Sequence, residues 1–176
     1  SLFSGSSSTT QKVTVDEQSR LIDYPNFTVK IPREWDVIEK KNFSSEVAAE
    51  TVIVFRNNVK NEDFTGNVQL VLNNLLDNRE TLDYAKEVIN KEATSLYNFK
   101  EKQRDLVKVT IAGKPVDTYI IYFEGKKDPQ GVLTQFAQTF AVKEKSAYII
   151  TGANSTKDST NNISTVEQII KNFAVK

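Results

Sequence analysis

Apolar and polar positions alternate through most of this chain after its first dozen residues. Phe27, Val29 and Ile31 alternate with Thr28 and Lys30 behind a Tyr24-Pro25-Asn26 turn, a pattern that predicts a strand buried on one face. Pro32 cannot donate to a ladder and closes that strand. Trp35 and Val37 continue in a second strand beyond the Pro-Arg-Glu corner, out to Glu39. Residues 49–56 contain Val52, Ile53, Val54 and Phe55, a β-branched and aromatic run suited to a buried strand. Residues 57–66 are polar and turn-rich and read as an exposed loop, and 68–72 return to the sheet.

The period then changes. Leu82, Ala85, Ile89, Ala93 and Leu96 recur at spacings of three and four, which predicts an amphipathic helix over 82–97. Thr81 is its expected N-cap, with Asp83 in the first turn. A meander follows. Val107, Val109 and Ile111 alternate, Gly113-Lys114 turns the chain, and 115–123 run back to a loop over 124–131. Phe136, Phe140 and Val142 share a face of the next strand, with the smaller Ala137, Thr139 and Ala141 on the other. Lys143-Glu144-Lys145-Ser146 forms a hairpin into 147–152, and Ile163, Val166, Ile170 and Phe173 predict a closing helix over 160–173. The small residues behind Phe136 and Phe140 predict close helix approach on that face. The expected class is α+β, an antiparallel sheet with helices packed on it.

Composition narrows the chemistry. The 176 residues fit one domain, which buries roughly 70% of the surface its unfolded chain exposes. Lys and Arg number 23 and Asp and Glu also 23, so no net field draws nucleic acid or an anionic membrane. Histidine and cysteine are both absent, which excludes Ser-His-Asp and Cys-His mechanisms, zinc fingers and thiol redox chemistry. The apolar runs are far shorter than the roughly 20 residues of a membrane-spanning helix. There is no methionine, so Ser1 is expected to follow a removed segment or a cloning boundary. Residues 1–11 are small and polar and read as a flexible linker before a domain over 12–176. Such a stretch suits a tether behind an acylated cysteine, and equally an ordinary disordered terminus.

The order of elements resembles the PsbP family over about 13–175. Tyr24-Pro25-Asn26-Phe27-Thr28-Val29-Lys30-Ile31-Pro32-Arg33-Glu34-Trp35 is similar to that family's opening strand, which ends at proline shortly before a tryptophan. Gly113-Lys114-Pro115-Val116-Asp117-Thr118-Tyr119 resembles its glycine-proline hairpin. Residues 147–153 and 169–175 resemble its last strand and helix. The resemblance implies an α/β/α sandwich with a central antiparallel sheet, a fold shared with the Ran-binding Mog family and the envelope protein DcrB. It also implies a non-catalytic role. The photosynthetic members are lumenal subunits that retain calcium and chloride at photosystem II. The missing histidine departs from that pattern and puts a histidine-dependent metal role in doubt, and the chain looks closer to PsbP-related exported proteins of non-photosynthetic prokaryotes.

No catalytic, cofactor-binding or metal-ligating residue is assigned from the sequence, and no cofactor. Glu62-Asp63 offers carboxylate oxygens, yet lacks the spaced ladder of a calcium loop and reads as solvated. Asp16-Glu17 and Asp105 are candidates for paired-carboxylate glycosidic chemistry, which needs two carboxyls about 5–10 Å apart across a cleft. Lys126-Lys127 is read as a solvated hairpin tip, although it could dock an acidic partner. Trp35 is expected to pack between sheet and helix rather than stack on a ligand. Asn73-Asn74 and Asn161-Asn162 read as a strand exit and a helix-capping region. The expected function is therefore a non-enzymatic accessory domain of the prokaryotic cell envelope, extracytoplasmic and tethered to the membrane through a removed N-terminal segment. It would bind another protein through sheet edges and loops, and not nucleic acid. The alternatives are a carboxylate-dependent hydrolase of cell-wall material and an intracellular Mog-type GTPase-binding module.

Overall fold

The computed structural model describes residues 18–58, 65–156 and 162–176. The polar stretch 1–11, Asp16-Glu17, Glu62-Asp63 and Asn161 lie outside them. Among the described residues ten strands form one sheet: β1 (Ser19–Asp23), β2 (Phe27–Pro32), β3 (Asp36–Glu39), β4 (Thr51–Arg56), β5 (Asn67–Asn74), β6 (Tyr97–Ile111), β7 (Lys114–Lys126), β8 (Thr134–Lys143), β9 (Ser146–Ser155) and β10 (Ala174–Val175). Helix α1 (Thr81–Ser95) separates β5 from β6, and α2 (Asn162–Lys171) separates β9 from β10. The spatial order is β1-β2-β10-β6-β7-β8-β9-β5-β4-β3.

The sheet is mixed. Among the described residues the strand pairs are antiparallel except that β10 runs parallel to β6, through Ala174 with Thr110 and Val175 with Ile111. The class is α+β, but the sheet is not purely antiparallel as the sequence pattern implies. A crossover explains it: α2 carries the chain across the sheet and delivers β10 between β2 and β6.

The sheet is also curled, because chain length forbids a flat one. β2 and β3 lie eight strand spacings apart in the order, about 38 Å if flat. Only Arg33, Glu34 and Trp35 connect them, a link that reaches at most about 14 Å. The two ends of the sheet must therefore bend toward each other. The Trp35 N–H donates to the Pro32 carbonyl at 3.1 Å and the Arg33 N–H to the Gln18 carbonyl at 3.2 Å. Arg20 Nη2 donates to the Trp35 carbonyl at 2.6 Å. Trp35 is 2% exposed and packs in the core inside the curl.

That concave core draws side chains from β2, β4, β5, β6, β7, β8, β9 and β10, and α2 seals it with Val166, Ile169 and Ile170. Ala137 and Ala141 of β8 lie in the same cluster, so the small residues behind Phe136 and Phe140 are where a helix comes close. Gly152 on the neighbouring strand carries this furthest, since a Cβ there would collide with Val166 Cγ1. Tyr122 donates its hydroxyl to Glu167 Oε2 at 2.8 Å and pins α2 to β7. Burial raises the Glu167 pKa, but hydrogen bonds from Tyr122 and Lys171 outweigh it and hold the carboxyl below its ordinary range. A second cluster occupies the other face, where Tyr84, Ala85 and Ile89 of α1 cover Ile121, Phe123, Phe136 and Phe140.

Several elements differ from their sequence pattern. β1 is an additional strand. β6 starts at Tyr97, ten residues before the expected strand, and α1 stops at Ser95. β7 runs on to Lys126, into the expected loop. The N-cap of α1 is Glu80, with no side-chain cap bond. Thr81 is instead buried, its hydroxyl accepting the Val142 N–H at 3.1 Å and tying the helix start to β8.

Two stability effects follow. Gly152→Ala should lower unfolding free energy by about 1–3 kcal/mol through overpacking, and adding Val166→Ala should return part of that loss; paired urea titrations read both. Trp35→Ala should cost about 3–5 kcal/mol, the range for a buried large aromatic, in the same assay.

Candidate functional site

On the α1 face, a row of polar side chains crosses three adjacent strands. Gln69 of β5 pairs with Thr151 of β9, and Thr151 pairs with Gln138 of β8. Alternation dictates this face for Gln138, which sits two residues from Phe136 and two from Phe140. The neighbouring row, Asn67, Ala153, Phe136 and Phe123, is largely apolar. Phe123 and Phe136 stack there with ring centroids 5.0 Å apart, and Phe99 joins Phe123 at 5.6 Å.

Glu92 projects onto the polar row from α1. The buried positions of that helix are Thr81, Tyr84, Ala85 and Ile89. Glu92 continues the face three residues beyond Ile89 and seven beyond Ala85. Ala93, which the sequence pattern placed on the apolar stripe, is exposed. Gln138 Nε2 donates to Glu92 Oε1 at 2.7 Å and to Thr151 Oγ1 at 2.9 Å. Glu92 Oε2 and Gln138 Oε1 are buried without a hydrogen-bond partner. Burial pushes the Glu92 carboxyl up to about 7, against the opposing effect of the Gln138 hydrogen bond.

The row forms part of the floor of a cleft of about 680 Å³. Residues 44, 46 and 47 line one side, and residues 127, 128, 131 and 132 another. Asp128 shapes the second wall: its carboxylate accepts the Gln130 N–H at 3.0 Å and its carbonyl accepts the Gly131 N–H at 3.0 Å. On its other side Glu92 borders a second groove of about 830 Å³, beside Tyr84, Asn73 and Arg79. There Asn73 Nδ2 donates to the Tyr84 hydroxyl at 3.0 Å. Chemically, Glu92 is a carboxyl that is partly protonated near neutrality, held by an amide and bordered by aromatic surface. It can accept or donate according to its protonation state.

The residues weighed from sequence fall elsewhere. Asp105 lies on β6 and accepts from Gln103 Nε2 at 2.8 Å; its suggested companions Asp16 and Glu17 lie outside the described residues, as do Glu62 and Asp63. Lys126 ends β7, and Lys127 is exposed on the cleft wall. Trp35 packs in the core as expected. Asn73-Asn74 closes β5, and Asn162 opens α2. Sequence reasoning passed over Glu92 and Gln138. Their signal was a polar residue in phase with an apolar helical stripe, and another in phase with a phenylalanine row.

No protein-family model matches the sequence, and no curated protein sequence matches it significantly. Solved structures do. Cyanobacterial PsbP from Synechocystis superposes with a TM-score of 0.61 at 8% identity, over 90% of this chain and 93% of that one. The chain has the PsbP-like fold. LpqN, involved in cell envelope biogenesis of Mycobacterium tuberculosis, superposes with a TM-score of 0.56 at 12% identity, covering 90% of this chain and 91% of its own. PA94 from Pseudomonas aeruginosa, a protein of unknown function, gives 0.55 at 13% identity, over 88% and 94%. At such identities the likeness is one of PsbP-like fold, and the Glu92 cleft is a property of this chain's own residues.

Glu92 sets a dependence on pH. Its folded-state pKa of about 7 lies above the ordinary 4.5, so the folded chain holds the proton more tightly and stability falls as pH rises through that window. Glu92→Gln keeps the shape without the charge. It should leave stability near pH 4 almost unchanged, raise it by about 1–3 kcal/mol at pH 8, and flatten the profile between; urea titrations across pH measure this.

Proposed function

We propose that the chain is a non-enzymatic, PsbP-like accessory domain of the cell envelope that binds a protein partner at the Glu92 cleft. The observation that carries this is the make-up of the cleft: the Gln69, Thr151 and Gln138 row beneath a desolvated carboxyl, next to stacked phenylalanines. Amide, hydroxyl and aromatic groups of this kind suit a segment with both polar and apolar contacts. The setting takes support from the fold shared with LpqN, which is involved in cell envelope biogenesis of Mycobacterium tuberculosis. We read the fold as an α/β/α sandwich, α1 and α2 being the layers on either side of the curled sheet. Among the described residues no helix is long and apolar enough to cross a membrane. We place the membrane tether in a removed N-terminal segment, with residues 1–11 as its linker.

A second reading, a carboxylate-dependent hydrolase of cell-wall material, draws on the Glu92 carboxyl alone. A pKa near 7 suits a general acid. Glycosidic chemistry also needs a second carboxyl about 5–10 Å away across the cleft; Glu46 and Asp128 stand among the cleft's lining residues, while the group that touches Glu92 is the Gln138 amide.

One experiment separates the two. A photo-crosslinking residue replaces Gln69 in the cleft, and another replaces the exposed Lys114 at the start of β7, in intact cells expressing the gene with its native upstream sequence. Position 69 should give a discrete adduct with an envelope protein, and position 114 should not. The absence of any adduct, together with cell-wall hydrolysis that Glu92→Gln abolishes, would replace the binding role with the enzymatic one.

A further inference from the structure

Strand β6 is long, and most of it has a neighbour on one side only. It pairs with β7 from Tyr97 to Ile111, while β10 meets it only at Thr110 and Ile111. Among the described residues, nothing pairs with the outer edge of 97–109. Such an edge presents unpaired backbone donors and acceptors to any strand of compatible register. It also displays two large exposed hydrophobic side chains, Leu106 at 62% and Tyr97 at 49%.

The charges along this edge are self-complementary. Residues 100–105 read Lys-Glu-Lys-Gln-Arg-Asp. We propose that this edge pairs with the same edge of a second copy of the chain, antiparallel about a two-fold axis between positions 102 and 103. Lys100 then faces the second copy's Asp105, Glu101 faces its Arg104, and Phe99 faces its Leu106. By symmetry each charge pair occurs twice.

Two irregularities interrupt the β6–β7 register, one between Tyr97 and Lys100 and one between Glu101 and Gln103, and the second makes this register geometrically consistent. Glu101 pairs with Phe123, but Gln103 pairs with Tyr122, leaving Lys102 as the extra residue. In a regular strand, residues 100 and 105 point to opposite faces. With the extra residue between them they share one, since Lys100 pairs with Glu124 and Asp105 with Ile120. Glu101 and Arg104, opposite Phe123 and Ile121, share the other. A one-residue slip in one direction sets Lys100 against Arg104 and Lys102 against itself. The reverse slip sets Glu101 against Asp105 and Lys102 against Arg104. Like charges directly opposite are destabilising, so the pattern selects one register and rejects its neighbours. Within one copy, Arg104 already holds Glu101 through Nη2 at 2.6 Å and Nε at 3.1 Å. Two copies would join these pairs into a ring of four alternating charges.

Sedimentation velocity of the full chain across a concentration series tests this, and the absence of native cysteine allows an independent crosslink. The wild type should self-associate to a dimer. Arg104→Glu, which sets a carboxylate against Glu101 of the other copy on both sides of the axis, should weaken association about tenfold or more. Combining Glu101→Arg with Arg104→Glu should restore it. Lys102→Cys, next to the axis, should form a disulfide-linked dimer under mild oxidation much faster than Leu76→Cys. A chain that stays monomeric to about 1 mM, or crosslinks equally fast at both positions, overturns the proposal. If Arg104→Glu does not fold, the exchange variant and the cysteine pair decide the matter by themselves.

Discussion

Three residues between Pro32 and Asp36 constrain everything else in this fold. They join the second strand of the sheet to the last, across a distance that a flat ten-strand order would make far too long. Curling is thus a consequence of chain connectivity, and Trp35 gives it a favourable energy by filling the interior that the curl creates. Arg20 closes the seam by donating to the Trp35 carbonyl from the neighbouring edge strand. The curl also decides where α2 lies, because only a helix inside it can reach β2, β5, β8 and β9 together. Gly152, with no side chain, leaves the room for Val166 that this position requires.

The convex face follows a different logic. There α1 covers only the central strands, and the sheet continues past it toward β5 with polar residues on its surface. Glu92 stands at that boundary. Its helical phase carries it under the helix, where water is scarce, and Gln138 supplies one hydrogen bond while a second oxygen has none. A buried acceptor without a partner costs stability. This chain holds that cost beside an open cleft.

Much of the secondary structure was legible from residue pattern. The alternation in 27–31, 107–111 and 136–142 and the apolar spacing in 163–173 marked elements that the fold contains. The first half of β6 was not legible, because every residue from 100 to 105 is polar, five of them charged, and both faces of the strand are exposed. Periodicity needs one face buried, and here neither is. β10 was hidden for another reason: two residues carry no pattern, and only the crossover through α2 gives them partners. The cleft was half legible. Gln138 lay in phase with Phe136 and Phe140, and Glu92 with Ile89, but a single polar residue in an apolar phase does not say what it faces. Thr81 shows the converse, a residue with capping chemistry whose hydroxyl is used by a distant strand instead.

By itself, the sequence determined the strands and helices that bury one face, which of their faces are apolar, and that no histidine or cysteine chemistry operates, since all of these depend on residue type and near spacing. Only the tertiary structure decided that the sheet curls, that β10 enters it in parallel, and that Glu92, Gln138 and Thr151 meet. Those outcomes depend on chain reach and on pairings between residues tens of positions apart, which no local pattern encodes.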